Sequence, residues 1–400
     1  MYMERILSSL SGGGYTVKFF GYSAIDKYMG ISPLPFTWVE TNADLSVLAR
    51  HCENLEFPGV DIADGAVYTN DEACYFFCRD QGSGNTQAEQ SNSLLSFRQD
   101  HGTGFFRDCL GIYPALRELR DRRSHYTDQD VLSPKTFPIE VNQEGTGFYK
   151  TIMDAALLLS RYGYKTQGLD LILENCEEDN IPEKEAQRNF LVCILLSPRP
   201  DWGLELVKKY GLLEAMWPEL SAYDDVDHAK EFHPEGNVWK HTLETFRHRK
   251  AAAGGAFDLR LSLALLLHDA GKPISDAHSG KRFDGHAEIG ARAAGRFLES
   301  LEFPRQLIQE IQYLVKNHML PAALKRLPVT KTAEIMASPL FPTLMELYRC
   351  DESSSFKGLD SYYENSAAYK TYLKNARNPY RSLDGKKIGK KEIYQGKRPT

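Results

Sequence analysis

Residues 259–273 read LRLSLALLLHDAGKP, a stretch in which a very apolar segment runs directly into a histidine and an aspartate. Leu259–Ala270 is apolar nearly all round, so the pattern predicts a central buried helix that stops at Gly271. A histidine and an aspartate at the end of such a helix are costly to bury unless they are paired or bind a metal. His268 and Asp269 therefore mark a predicted site, and we expect a helical fold around them.

Further histidine and aspartate side chains lie on separate predicted helices or helix ends. The full predicted ligand set is His241, His268, Asp269, His286, His318 and Asp351. Ligands that converge from successive helices are a common way to build a metal site in a bundle core. Imidazole and carboxylate together suit Mn, Fe, Ni, Zn or Mg, and spacing does not select among them. We expect one or two ions, the second held by His286 and His318 with Asp269 as the bridge.

The pattern changes along the chain in a way that predicts several domains. The early sequence mixes short strand-like and helical stretches, whereas the sequence from Asn237 onward is almost wholly helical in period. The fold class is therefore predicted as mainly α with an N-terminal α/β domain. The expected divisions are residues 1–130 (α/β), 131–222 (helical neck), 223–360 (helical) and 361–400 (a basic tail with little fixed structure from about Asn375).

Composition and charge limit which classes of protein the chain can belong to. Hydrophobic residues make up 42% and charged residues 26% of the 400 residues, which is the balance of a soluble globular protein. The net charge of −6 argues against a general nucleic-acid-coating protein, although it allows a local basic face. The longest apolar run is far below the roughly 20 residues that span a bilayer, and the dispersed cysteines suit a reducing compartment. We predict a cytoplasmic protein with no membrane partner.

The motifs around these ligands carry a family resemblance. HPEGNVWKHT at 233–242, LLLHDAGKP at 265–273 and RFDGHAEIG at 282–290 are followed by His318 and Asp351. They resemble the HD-domain phosphohydrolases and, more narrowly, the HD domain of many bacterial tRNA CCA-adding enzymes. The resemblance covers about residues 220–352. It implies a helical metal site that hydrolyses a phosphate ester.

This resemblance leads to a first functional hypothesis, a metal-dependent phosphatase or phosphodiesterase. Its substrate would be a nucleotide, a cyclic nucleotide or an RNA-end phosphate, with tRNA as a candidate partner. The ion would activate a water molecule, which Asp269 orients or deprotonates, while Lys272 stabilises anionic oxygens. The predicted substrate contacts are His233, Glu235 and Arg282.

The N-terminal sequence resembles the superfamily of CCA-adding enzymes and poly(A) polymerases less closely. Residues 20–30, FGYSAIDKYMG, align without gaps on its V-G-G-x-V-R-D-x-x-x-G signature, and residues 39–43 resemble the end of its D-x-D-x-x-T-N-A strand. Phe36 and Trp38 then stand where two aspartates hold Mg²⁺, and neither side chain can ligate a hard cation. We expect a nucleotidyltransferase-like head that has lost its transferase activity.

Two alternatives stay open beside the phosphohydrolase. The first is a true CCA-adding or poly(A)-adding nucleotidyltransferase, which incorporation of CTP or ATP onto tRNA would establish. The second is a non-catalytic module that binds RNA or a nucleotide. A group of arginines in the head is compatible with RNA binding. It comprises Arg117, Arg120, Arg122 and Arg123.

Overall fold

The computed structural model of the chain describes most of its residues. They are 2–58, 63–69, 72–78, 98–100, 106–107, 117–118, 120–121, 135–137, 147–176, 180–226, 236–252, 255–279, 283–355 and 358–388. The chain divides into two compact units, the first formed by Met1–Leu212 with Ala251–Ala256 and the second by Leu213–Lys250 with Phe257–Thr400. The four-part domain division drawn from the sequence stays a prediction.

A mixed sheet organises the start of the first unit. Its strands are β1 (Val17–Phe20), β2 (Phe36–Thr41), β3 (Leu55–Glu56), β4 (Gly65–Tyr68), β5 (Ala73–Cys78), β6 (Arg98–Asp100) and β7 (Phe106–Arg107). They lie in the order β3-β4-β5-β2-β1-β6-β7. Strands β2 and β5 are parallel, and the other neighbours are antiparallel.

The described part of the first unit also contains helices. They are α1 (Tyr2–Gly12), α2 (Tyr22–Met29), α3 (Leu45–His51), α4 (Phe148–Leu157), α5 (Leu169–Glu174), α6 (Lys184–Leu195) and α7 (Pro200–Lys209). Of these, α1 and α2 contact the sheet. Helix α4 continues into one π-helical turn, Leu158–Tyr162, and the short strands β8 (Lys135–Phe137) and β9 (Tyr164–Thr166) pair in parallel. Gly21 precedes α2 with a φ of 56°, and Gly30 follows it with a φ of 63°. Both angles are positive, which favours glycine because it has no Cβ atom.

The π-helical turn carries a buried ion pair. The Arg161 guanidinium donates through Nε to Asp26 Oδ1 at 2.7 Å and through a terminal nitrogen to Oδ2 at 2.6 Å. The Tyr162 hydroxyl donates to the same carboxylate at 2.7 Å. Buried charges persist when they are paired and hydrogen-bonded, so this network fixes α2 against the end of α4.

The second unit is helical. Its elements are α9 (Pro218–Ser221), α10 (Val238–Phe246), α11 (Leu259–Leu267), α12 (Lys272–Ser279), α13 (His286–Ser300), α14 (Arg305–Asn317), α15 (Val329–Met336), α16 (Phe341–Ser353) and α17 (Asp360–Ala376), with α8 (Leu212–Met216) at its start and a 3₁₀ turn at Pro321–Ala323. With the N-terminal sheet, these helices confirm the predicted fold class, mainly α with an N-terminal α/β domain. None of the helices among the described residues combines the length and apolar character that a bilayer crossing requires.

Helix α11 is the predicted central helix. Every residue of Leu261–Leu267 is buried, and the Asp258 side chain caps the helix by accepting from Arg260 N at 2.8 Å. The helix ends at Leu267 and not at Ala270, because Ala270 N donates to Leu267 O in a tighter turn. His268 and Asp269 follow the last helical residue and lie in that turn.

The described part of the basic tail is folded. Helix α17 covers the start of the region that we expected to be a tail and contacts α15, α16 and the 3₁₀ turn. Beyond it, Ser382 N donates to Lys386 O and Ile388 N donates to Tyr380 O, each at 2.9 Å. The expectation of little fixed structure from about Asn375 is therefore wrong up to residue 388, because the buried Asn375 side chain also donates to Leu383 O.

Candidate metal centre

All six predicted ligand side chains converge inside the second unit. They come from α10 (His241), the turn after α11 (His268 and Asp269), the start of α13 (His286), the end of α14 (His318) and α16 (Asp351). The cluster contains two groups of three in which the ligand atoms lie within 4.8 Å of one another. We call His241, His268 and Asp351 the first group, and Asp269, His286 and His318 the second group.

The first group is tightly spaced. Nε2 of His241 lies 3.0 Å from Oδ1 of Asp351 and 3.4 Å from Nε2 of His268. Helices α10 and α11 pack side by side, and α16 packs against both. Residues far apart in the chain therefore meet through helix packing alone.

The second group has similar spacing. Nε2 of His286 lies 3.3 Å from Nε2 of His318 and 3.8 Å from Oδ1 of Asp269. Helices α13 and α14 form an antiparallel pair that brings the start of one helix beside the end of the other. His318 is buried, whereas the side chain of His286 stays 14% exposed.

Asp269 faces both groups. Its Oδ2 lies 3.3 Å from Nε2 of His268 and 3.9 Å from Nε2 of His241, while Oδ1 is directed to His286. Lys272, the predicted anion-stabilising residue, places Nζ 2.7 Å from the same Oδ2. The lysine is therefore paired with the central carboxylate and lies beside the cluster.

Hydrogen bonds fix which nitrogen of each histidine faces inward. Nδ1 of His268, His286 and His318 lies 2.7–2.8 Å from the carbonyl oxygen three residues earlier. A carbonyl only accepts, so each Nδ1 carries a proton, and a neutral ring held in this way presents its Nε2 lone pair to the cluster. The end of a helix supplies such a carbonyl because its last carbonyls lack intrahelical partners.

His241 uses a side chain that the sequence analysis missed. Its Nδ1 lies 3.2 Å from the hydroxyl of Ser354, which itself donates to Asp351 O at 2.6 Å. Because that hydroxyl proton is already used, Nδ1 of His241 donates to Ser354. The signal was available, since a residue three positions after Asp351 lies on the same helix face.

This arrangement fits a cation. Nε2 of His286 lies 3.3 Å from Nε2 of His318, and the lone pairs of two neutral rings at that distance repel unless a shared positive charge lies near them. Burial lowers the pKa of His318 to about 4 and lowers that of His286, so both rings are neutral at pH 7. Neutral imidazole is the form that binds metals.

The carboxylates carry the charge that a cation needs. Burial by itself raises the pKa of Asp269, but His268 and Lys272 outweigh it and hold the pKa well below its ordinary value. Burial by itself also raises the pKa of Asp351, but the nearby imidazole of His241, with Nε2 3.0 Å from Oδ1, outweighs it and lowers that pKa. Both groups are ionised at neutral pH. A divalent ion held there would act as a Lewis acid toward a bound water molecule or a phosphate oxygen.

Several predicted residues are not placed in this centre. His233, Glu235 and Arg282 lie outside the described residues and stay predictions, as do Arg122 and Arg123. Arg117 and Arg120 are described, and both lie within 4 Å of Asp121.

Aromatic rings stand at Phe36 and Trp38, the two positions where the sequence resemblance led us to expect missing metal ligands. Trp38 lies on β2 with its ring 5.7 Å from that of Tyr22 and 6.5 Å from that of Tyr75, and Phe36 lies 6.4 Å from Tyr75. These rings pack on one face of the sheet, together with Tyr68. Neither position offers an oxygen to a hard cation.

Comparison with known proteins places an HD domain at residues 238–339. The chain is 32% identical over 217 residues to a CC-adding tRNA nucleotidyltransferase of Thermus thermophilus, covering 52% of this chain and 48% of that protein. It is 31% identical over 182 residues to an A-adding tRNA nucleotidyltransferase of Deinococcus radiodurans, covering 44% and 40%. The match thus spans about half the length of these relatives, or less.

Solved structures show a weaker likeness. The CCA-adding enzyme of Bacillus stearothermophilus in complex with CTP matches with a TM-score of 0.48 and 12% identity, covering 98% of this chain and 91% of that chain. An apo form of a tRNA-processing enzyme matches with a TM-score of 0.44 and 15% identity, covering 98% and 97%.

These findings correct the first functional hypothesis. The prediction of a metal-dependent phosphohydrolase is wrong, because the curated relatives are tRNA nucleotidyltransferases and favour the alternative that we kept beside it. The physical reason is that a ligand set specifies which ions can bind and not which reaction the whole protein performs. The resemblance given by the sequence motifs is confirmed, since the HD-domain family model matches residues 238–339 and the chain is similar to a CC-adding tRNA nucleotidyltransferase.

Proposed function

We propose that this protein, which carries an HD domain and is related to tRNA nucleotidyltransferases of the CCA-adding type, functions at the 3′ end of tRNA. The observation that carries the proposal is its identity of 31–32% to a CC-adding and an A-adding enzyme over 182 to 217 residues. Both relatives are named for nucleotide transfer to tRNA. Their shared substrate is therefore the partner that we assign to this chain.

Two versions of this function differ in chemistry. In the first version, the chain transfers CMP or AMP from the nucleoside triphosphate to the tRNA 3′ hydroxyl, and the β- and γ-phosphates leave as pyrophosphate. In the second version, it binds tRNA or the nucleotide without transfer. Phe36 and Trp38 favour the second version, because two-metal transfer needs carboxylates where these rings pack against Tyr75. We therefore propose that the transferase activity of the head has been lost.

We also propose that the six clustered side chains hold one or two divalent ions. The first group would bind one ion and the second group another, with Asp269 between them. The facing imidazole lone pairs support this assignment, because a cation removes their repulsion. When bound, the ion supplies positive charge that can hold an anionic oxygen such as that of an RNA phosphate.

One experiment tests the function and separates its two versions. The full chain is incubated with tRNA transcripts that lack C, CC or CCA ends, with labelled CTP or ATP and Mg²⁺. Binding is measured in parallel by fluorescence anisotropy, against an RNA hairpin of equal length. Elongation establishes the first version, and tRNA-selective binding without elongation establishes the second. Neither binding nor elongation would overturn the proposed function.

An Asp269→Asn variant locates any activity that appears. Elongation that survives this substitution belongs to the head, whereas elongation lost with it depends on the metal centre. Metal content, measured by mass spectrometry after dialysis, tests the ligand assignment separately. A chain that retains no divalent metal would exclude the centre without bearing on tRNA binding.

A further inference from the structure

Two glycines make a backbone contact beside the second group. A Cβ atom on Gly271 would overlap the carbonyl oxygen of His286 and lie 2.6 Å from the nitrogen of Gly290. A Cβ atom on Gly290 would lie 3.0 Å from the nitrogen of Gly271. The obstacles are backbone atoms, which cannot rotate away as a side chain can. We call this contact the glycine seam.

The glycine seam joins the segment after Asp269 to the first turns of α13. Gly271 lies two residues after the central carboxylate, and His286 is the first residue of α13. Any side chain at Gly271 must push these segments apart. Such a displacement would move His286 relative to Asp269, because the overlapping atom belongs to His286 itself.

The glycine seam also reaches the third ligand of the second group. A Cβ atom on Gly290 would lie 3.4 Å from Cγ1 of Val315, and the carbonyl of Val315 accepts from Nδ1 of His318 at 2.7 Å. His286 has its own support, because Nδ1 donates to the carbonyl of Phe283, whose φ of 48° places that residue in the left-handed region. The second group is therefore supported by backbone.

The first group has a different support. His241 is oriented by the Ser354 hydroxyl, and Asp351 comes from α16. The atoms that a Cβ on Gly271 or Gly290 would approach belong to neither His241 nor Asp351. The two groups thus share Asp269 but are held in place by separate contacts.

We propose that Gly271 and Gly290 are positioning residues that keep the three side chains of the second group close enough together to bind their own cation. The inference rests on the two-ion centre proposed above. A side chain at Gly271 then removes the second ion and spares the first. Loss of supporting contacts around a metal typically costs about 10–100-fold in affinity, and direct displacement of His286 belongs at the upper end of that range.

The test uses the full chain, Mn²⁺ as the only added metal, and Gly271→Ala. We expect two bound Mn²⁺ ions in the wild type and one in the variant, counted by mass spectrometry after dialysis. The electron paramagnetic resonance spectrum should change from a coupled pair to a mononuclear ion. Circular dichroism and thermal melting verify that the variant is folded.

Gly295→Ala is the matched control, on α13, the helix that carries Gly290. A Cβ atom there meets only the side chain of Gln312, which can rotate away, so both ions should stay bound. If Gly271→Ala does not fold, Gly290→Ala takes its place, with the affinity for the second ion expected to fall about tenfold.

Three outcomes would overturn the proposal. They are a wild type that binds a single ion, a folded Gly271→Ala chain that binds two ions with wild-type affinity, and a folded Gly271→Ala chain that binds none. The tRNA binding assay reads out the proposed function independently. Either result can therefore fail while the other stands.

Discussion

The hydroxyl of Ser354 lies 3.2 Å from Nδ1 of His241. In the described cluster, the other three histidines each use a backbone carbonyl for the same purpose. A side chain can be removed by mutation where a carbonyl cannot. This pair therefore gives direct access to the orientation of one proposed ligand.

Ser354→Ala should weaken the binding of a metal ion by the first group. Without the hydroxyl, the His241 ring loses the acceptor that fixes its proton on Nδ1, so the affinity should fall about 10–100-fold. Titration with Mn²⁺ measures the change. Ser353→Ala is the control, since the Ser353 hydroxyl donates to Arg349 O and not to a ligand. Equal affinity in the Ser354 variant and the wild type would contradict the assignment.

Asp269→Asn should weaken the binding of both proposed metal ions. Its carboxylate faces His268 and His241 with one oxygen and His286 with the other, so loss of its charge affects both groups. His318→Ala, in contrast, should affect the second ion alone. Metal content after dialysis separates these outcomes. An Asp269→Asn chain that keeps one ion at full affinity would show that the carboxylate serves only one group.

Arg161→Met should destabilise the first unit. The arginine and Asp26 are each 3% exposed, and removing the guanidinium leaves the carboxylate buried without its partner. We expect a loss of about 3–5 kcal/mol in the free energy of unfolding. Urea unfolding followed by tyrosine and tryptophan fluorescence provides the measurement.

The Asp26→Asn, Arg161→Met double variant is the matched control for that prediction. It should regain part of the loss, because the buried charge is removed together with its partner and Tyr162 can still donate to the amide oxygen. A double variant as unstable as Arg161→Met would show that packing of the arginine matters more than its charge.

Asp154→Asn should stabilise the protein at neutral pH. Burial raises the pKa of Asp154 above its ordinary 3.8, so the folded state holds this proton more tightly than the unfolded chain does. The wild type therefore loses stability as the pH rises from about 3.8 through the folded-state pKa, and the penalty is constant above it. The asparagine carries no such penalty and can still accept from Tyr22, whose hydroxyl lies 3.0 Å from Oδ1.

Urea unfolding from about pH 4 to about pH 7 tests this pH dependence. The stability difference between Asp154→Asn and the wild type should grow with pH and then level off. Nζ of Lys150, an exposed side chain, lies 3.8 Å from Oδ2 of Asp154. The variant loses this ion pair, which should lower the free energy of unfolding by less than about 1 kcal/mol. A difference that stays constant with pH would contradict the assigned pKa shift.

Much of the fold and of the metal centre could be predicted from local pattern. The apolar run before His268 required a buried helix, and a histidine and an aspartate at its end required a partner or an ion. The other candidate ligands were predicted because histidines and an aspartate recur on separate helices in an order that resembles the HD-domain family. Ser354 was missed because a serine near a helix end is common, and its position three residues after Asp351 does not by itself identify His241 as its partner. The reaction was wrongly predicted because ligand identity does not determine the substrate.

By itself, the sequence determined the helical class of the second unit, the six candidate ligands and the absence of carboxylates at Phe36 and Trp38. Those properties depend on residue type and on periodicity along a single element. The tertiary structure decided that the ligands form two groups around Asp269, that Ser354 orients His241 and that Gly271 lies against the backbone of His286. These relationships depend on packing between helices that are far apart in the chain, and local periodicity does not specify that packing.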